Sequence, residues 1–259
     1  MDLKREKSKK EIAEFSRRVQ QHMDNERKGN ASGMLADIIL GGQDGLVNVL
    51  GIVLGVASAT SDRYIVLIAG LVATFAESIS MAAVAYTTAR AEQDHYRREI
   101  AQEKWEIEHL PEVEEEEIRL IYMKKGLRGK ELSQMVKSVT SNKELWISVM
   151  MTEELGMVPV ENFNPVRAAI IVGFSAIIGS VIPLLPFFVF SVSDSIIISL
   201  VAGTMVLFAV GAYKAKITVG DWKKSGAEMA IIGMVAAISG YLIGKLLGDF
   251  FGLKQVPSG

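Results

Sequence analysis

The sequence predicts an all-α protein: a polytopic membrane protein of five transmembrane helices, with a cytoplasmic three-helix domain between the second and the third. Three observations carry this reading. Hydrophobic residues make up 49% of the 259, and the mean hydropathy is +0.27, high for a chain surrounded by water. The apolar residues gather into five runs of membrane-spanning length. The charged residues gather elsewhere, into a basic N-terminus, an acidic middle and short loops.

Residues 1–33 come first. Ile12, Phe15, Val19 and Met23 recur at helical spacing among lysines and arginines. That is the pattern of a basic amphipathic helix or arm on an anionic membrane face. No apolar core follows the basic residues closely, so the segment is not a secretory signal. The five runs are then Met34–Ala59, Tyr64–Ala89, Val166–Phe190, Ser195–Ala212 and Ala227–Leu247. Each suffices to cross about 30 Å of hydrocarbon as a helix. The expected organisation is therefore residues 34–91 for spans one and two, 92–165 for the inserted domain, 166–249 for spans three to five, and 250–259 for a C-terminal tail.

Lysine and arginine mark the cytoplasmic side of a membrane protein. The basic N-terminus, Arg90, Arg97, Arg98, Arg167 and the loop with Lys214, Lys216, Lys223 and Lys224 all fit one topology. It places the N-terminus and residues 92–165 in the cytoplasm and the C-terminus outside. Without a sorting extension, the expected membrane is a prokaryotic plasma membrane, or a vacuolar-type membrane if the chain is eukaryotic.

Neither Gly nor Pro interrupts Leu71–Leu110, so the second span is expected to run on as one helix beyond the bilayer. Pro111 suits the first position of a new helix, and the acids behind it favour that end. A third helix is expected from about Lys130 to Leu155, ended by Gly156 and Pro159. Pro183 and Pro186 are expected to kink or end the third span. Gly41, Gly45, Gly51 and Gly55 stand in pairs four apart, a spacing that lets helices approach closely; whether the partner helix lies in the same chain or a second subunit is open at this level.

Composition excludes several classes. There is no cysteine, hence no disulfide, thiolate metal site or cysteine nucleophile. The three histidines, His22, His95 and His109, all lie outside the apolar runs. A net charge of −2 gives no field for nucleic acid.

The carboxylates are more informative. Asp44 interrupts "DIILGGQDGLVNVLGIVLGVASA", with Gln43 beside it and Asn48 one turn on. A carboxylate there costs at least a few kcal/mol unless it is paired, solvated or protonated, and such residues usually line a pathway. A buried structural hydrogen bond is the plainer reading. Glu77 and Met81 are four apart in the second span and share a helix face. In the inserted domain Glu92, Glu99, Glu103 and Glu106 share another face. Glu114 and Glu117 are three apart beyond Pro111, and Met150 and Met151 lie within a turn of Glu154. Taken singly, each acid of "EVEEEE" reads as solvated and each methionine as packing; Glu112, Glu115 and Glu116 are expected to face solvent. Together the three helices can converge on a cluster of carboxylates with two thioethers, making this a three-helix metal-binding domain. Oxygen ligands alone suit magnesium or calcium. Thioether sulfur shifts the preference toward ferrous iron, manganese or a similar ion.

At these residues the chain resembles the vacuolar iron transporter family. The likeness rests on "DGLVNVLGIVLGV" in the first span, "SMAA" in the second, "MMTEE" closing the acidic insert and "GFSAIIGSVIPLLPF" in the third span. It implies a five-span ferrous-iron/proton antiporter, not an enzyme, working as a homodimer with its ion path near the subunit interface. Its partners would be divalent metal ions, protons and the bilayer. It implies no prosthetic group; the ion carried would be Fe2+, with Mn2+, Co2+ and Zn2+ as further candidates. Carried over by position, Asp44 and Met81 belong to the transport path. Glu103, Glu106, Glu114, Glu117, Met150, Met151 and Glu154 would be the cytoplasmic ligands. One departure stands out. Many relatives place Gly-Glu-Tyr shortly after the Ser-Met-Ala of the second span, where this chain has Val84, Ala85 and Tyr86. Glu77 is the candidate substitute for the missing glutamate.

Two alternatives belong to other classes. Glu92/His95 and Glu106/His109 are Glu-x-x-His motifs of the kind di-iron carboxylate proteins use, which would make the insert a membrane-anchored iron oxidase. A magnesium or calcium carrier is the other, opposed by the methionines.

Overall fold

The computed structural model describes residues 30–157, 164–218 and 220–253, together with Arg17. The expected amphipathic helix of the N-terminus and the stop at Pro159 lie outside the described residues. Among the described residues every regular element is helical: α1 (Asn30–Thr60), α2 (Arg63–His109), α3 (Pro111–Lys124), α4 (Gly129–Thr140), α5 (Lys143–Val149), a π-helical turn (Met150–Glu154), α6 (Pro165–Val189), α7 (Val192–Ile217) and α8 (Trp222–Phe251). Helices α1, α2, α6, α7 and α8 are each long and apolar enough to cross a membrane. The chain divides into two compact units, one formed by residues 1–83 and 168–259, the other by Val84–Arg167.

In the membrane unit α1 is the central element. Val49, Leu50 and Val53 are fully buried, whereas Phe75, Ile79, Phe174, Ile178 and Leu246 on surrounding helices are largely exposed, as side chains facing lipid are. Small residues set the spacing. A methyl group added at Gly41 or Gly45 would overlap the carbonyl oxygens of Val172 and Ala176 on α6. One added at Gly244 of α8 would overlap that of Gly55. The paired glycines of the first span therefore meet helices of the same chain, which answers the question the spacing left open. Hydroxyls add short bonds across these contacts, as polar groups do in hydrocarbon. Ser58 Oγ donates to Tyr241 O at 2.8 Å, Ser78 Oγ to Gly173 O at 2.8 Å and Ser199 Oγ to Pro183 O at 2.7 Å.

The turns follow from capping chemistry. Asp62 Oδ1 accepts from the backbone N–H groups of Tyr64 and Ile65 at 2.8 and 3.1 Å, starting α2. Arg63 reaches across to donate to Phe188 O at the end of α6. Ser191 and Asp221 cap α7 and α8 in the same way. Helix α6 does not stop at its prolines: Pro183 and Pro186 both lie inside it, and it runs on to Val189. Both prolines are buried among neighbouring helices, whose packing holds the segment helical despite the lost backbone donors.

In the second unit α2 continues without a break to His109, and Pro111 opens α3 at its first position. The single helix expected from Lys130 to Leu155 is instead three pieces. It breaks at Ser141–Asn142, where Ser141 Oγ bonds back to Ser138 O at 2.9 Å and Asn142 Oδ1 accepts from Leu145 N at 3.1 Å to start α5. Short polar side chains compete with the helical ladder in this way. The helix then widens into the π turn, with Leu155 N bonded to Met150 O, and Gly156 ends it at φ +64°. Ile107, Ile118, Leu132, Val136, Val139, Trp146, Val149 and Met150 form the core of this unit.

Candidate metal centre

The turn at Leu110 builds the site. Leu110 N donates to Glu106 O, and Leu110 O accepts from Val113 N and Glu114 N. The chain thus reverses within a few residues, so that the acidic face at the end of α2 meets the acidic face at the start of α3. One carboxylate oxygen from each of Glu103, Glu106 and Glu114 lies within 4.8 Å of the other two. Glu103 and Glu114 are 4% and 3% exposed, and Oε2 of each has no hydrogen-bond partner. Ile107 and Ile118, one turn beyond each acid, form the apolar floor that anchors the two helices together.

Buried acids without partners are costly, and the electrostatics show it. Burial, reinforced by Glu154, Glu106, Glu117 and Glu99, pushes the Glu103 carboxyl up to about 7. Burial, with Glu117, Glu103, Glu106 and Glu154, pushes Glu114 up to about 7. Glu154 is raised too, first by desolvation and then by Glu117 and Glu106, although much of its surface is open to solvent. Among the described residues no positive group offsets these effects on Glu103 or Glu114. Basic side chains stand nearby but are engaged elsewhere: Arg119 with Glu115 and Glu116, Lys143 with Glu108, Lys125 with Glu153. A divalent cation is what such a group of oxygens lacks.

The structure therefore brings five of the expected cytoplasmic residues into one electrostatic group: Glu103, Glu106, Glu114, Glu117 and Glu154. Met150 and Met151 are 0% and 1% exposed. Met150 is a member of the hydrophobic core, so packing accounts for its burial without a ligand role. The π turn carries both methionines and Glu154, and π turns occur frequently at functional sites. Glu112, Glu115 and Glu116 face solvent, as expected. Glu99 is the residue that ligand selection passed over: it adds to the field on Glu103 while bonding Arg98 at 2.8 Å. Its place on the shared α2 face was the available signal.

The Glu-x-x-His motifs do not assemble. His95 Nδ1 lies 3.3 Å from Glu99 and 3.1 Å from Arg98. His109 stacks on Trp105, ring centroids 4.5 Å apart, with Nδ1 2.8 Å from Trp105 O. Neither ring joins the carboxylate group.

In the membrane unit Asp44 of α1 and Glu77 of α2 meet. The two carboxyl groups are close enough to act on each other, and Asn48 stands beside Glu77. Asp44, Glu77 and Met81 are all half-buried. The polar neighbour that Asp44 meets is thus a second acid. Two neighbouring carboxylates repel, and a proton or a cation relieves them.

Comparison with known proteins adds an independent line. A family model described as the VIT family matches residues 35–245. The chain is 31% identical over 223 residues to vacuolar iron transporter 1 of Arabidopsis thaliana, covering 86% of this chain and 89% of that protein. It is 32% identical over 225 residues to vacuolar iron transporter 1 of Oryza sativa subsp. japonica, with 86% and 89% covered. To the vacuolar iron transporter of Plasmodium falciparum it is 29% identical over 248 residues, with 92% and 90% covered.

Proposed function

The chain belongs to the VIT family, and from that premise we propose that it transports divalent transition metal across a membrane, carrying ferrous iron out of the cytoplasm in exchange for protons. The observation that carries this reading is the convergence of Glu103, Glu106 and Glu114 oxygens within 4.8 Å, two of them on buried carboxyls that leave Oε2 unpartnered. Relatives named vacuolar iron transporters supply the ion and the reaction class.

In this reading iron gathers at the cytoplasmic carboxylates, with Glu117 and Glu154 completing the charge and Met151 as a soft ligand. Met150 is assigned the same role on the strength of its place in the π turn. The ion then passes to Asp44, Glu77 and Met81, where it gives up part of its water shell. A carboxyl pair that holds either a proton or a divalent ion exchanges one for the other, and protons moving inward drive iron outward. Glu77 takes the place of the glutamate that Val84, Ala85 and Tyr86 leave absent. The working unit is a homodimer with residues 92–165 in the cytoplasm. Mn2+, Co2+ and Zn2+ fit the same oxygen and sulfur set.

The oxidase reading is not favoured, because neither His95 nor His109 joins Glu103, Glu106 and Glu114. The test is a proteoliposome assay following internal iron and internal pH together. Iron movement coupled to opposite proton movement is expected. Iron uptake with no pH change would remove the exchange step, and no uptake of any divalent metal would remove the proposal.

A further inference from the structure

An apolar slot of about 430 Å3 runs between α1, α6 and α7. It extends from Leu35 and Tyr213 at one end of the bundle to Leu46 and Ile182 near its middle. Leu35 to Leu46 is about 17 Å along a helix, roughly half of a ~30 Å hydrocarbon layer. The slot is apolar along that length, as a surface that seats a hydrocarbon chain is.

Tyrosine and lysine stand at the end of α7 that borders its mouth. Tyr213, on the wall and largely exposed, sits where tyrosines sit at membrane–water interfaces. Lys214 and Lys216 are exposed in the last turn of α7. Lys216 continues the α7 row of Ala209 and Tyr213, and Lys214 follows Val210 by one turn, so the two lysines flank the slot. Asp37, the acid at the same end of α1, does not line it.

We propose that the slot binds one acyl chain of an anionic phospholipid, whose phosphate lies against Lys214 and Lys216. The chain by itself gains little, since lipid tails are as apolar as the slot. Selection comes from the headgroup, with each lysine near the surface contributing about a five-fold preference for the anionic lipid. The inference rests on membrane embedding alone and is independent of which ion the protein carries.

The test uses the full chain in a neutral detergent, titrated with phosphatidylglycerol and with phosphatidylcholine and read by native mass spectrometry. Phosphatidylglycerol is expected to bind at least ten-fold tighter. Lys214→Gln with Lys216→Gln should bring the two lipids to near parity. Ala209→Trp, which fills the slot and displaces the acyl chain from beside the lysines, should weaken phosphatidylglycerol binding. Equal affinity for the two lipids in the unaltered chain would overturn the proposal. So would undiminished phosphatidylglycerol binding by Ala209→Trp, or a loss of dimer with lipid binding unchanged, which would make the slot a protein interface. Should Ala209→Trp fail to fold, the exposed lysine pair decides the question: an undiminished preference in the double variant overturns the proposal.

Discussion

Glu103 and Glu114 face each other across the turn that Pro111 opens, each almost wholly buried and each with Oε2 unpartnered. The sequence supplies two strongly held acids and no base to match them. The pair is an expensive arrangement until something positive arrives.

Replacing both with glutamine keeps the shape and removes the charge. Glu103→Gln with Glu114→Gln is expected to weaken ferrous-iron binding by at least a hundred-fold in anaerobic calorimetry while leaving helical content unchanged. Affinity within a few-fold of the unaltered protein would show that the ion sits elsewhere.

The sign of the pH dependence follows from the raised carboxyls. Glu103 and Glu114 hold their protons to about pH 7 in the folded protein, against 4.5 when unfolded. The folded state thus binds more protons in that window. The stabilisation they give is full below pH 4.5 and is lost as pH rises through 7. Each taken alone accounts for roughly 3 kcal/mol, and the pair for less than twice that, because the two titrate together. Metal-free protein should melt lower at pH 8 than at pH 5, and the glutamine double variant should lose most of that difference. Added divalent metal should restore stability at pH 8.

Proton release reports the same groups from the other side. Iron binding at pH 6 should expel protons from Glu103 and Glu114, and binding at pH 8.5 should expel almost none. Calorimetry in two buffers of different ionisation heat measures this. Equal proton counts at both pH values would separate the raised carboxyls from the ion.

Asp44 and Glu77 are expected to matter for passage rather than for capture. Asp44→Ala should abolish iron movement into proteoliposomes, and Glu77→Gln should slow it ten-fold or more. Iron affinity at the cytoplasmic centre should stay the same in both. A wild-type transport rate in the Asp44 variant would exclude it from the path.

The glycine contacts predict a sharp positional contrast. Gly45→Ala places a methyl group against the Ala176 carbonyl and Gly244→Ala against that of Gly55, whereas Gly33→Ala meets nothing within 4 Å. The first two should each cost on the order of 1–3 kcal/mol through overpacking, seen as a lower melting temperature in detergent. Gly33→Ala should be neutral or slightly stabilising.

Much of this was legible in the chain. Hydropathy marks the five spans, the Gly- and Pro-free stretch marks the long α2, and Pro111 marks the reversal. The acids that converge could be selected because helical spacing places Glu103 with Glu106 and Glu114 with Glu117. What lay beyond reach depends on contacts between segments distant in the sequence. The meeting of Asp44 with Glu77 needs two helices in register. The partners of Gly41 and Gly55 are carbonyls on α6 and α8. The break at Ser141–Asn142 turns on local bonds that compete closely with the helix, and the π turn at Met150 needs the core to hold it. That α6 runs on past Pro183 and Pro186 to Val189 depends likewise on neighbouring helices that bury both prolines.

The glycine seams of α1 carry a mechanical consequence. Where backbone rests on backbone, no side chain can flex to absorb a sliding motion, so α1, α6 and α8 form a stiff block. Asp44 is fixed to that block, while Glu77 rides on α2, which meets it through Leu184 and Val53 at Gly70 and through the Ser78–Gly173 contact one residue from Glu77. A shift of α2 along that block would therefore change the spacing of the two carboxyls, and the Ser78–Gly173 bond is the contact that resists it.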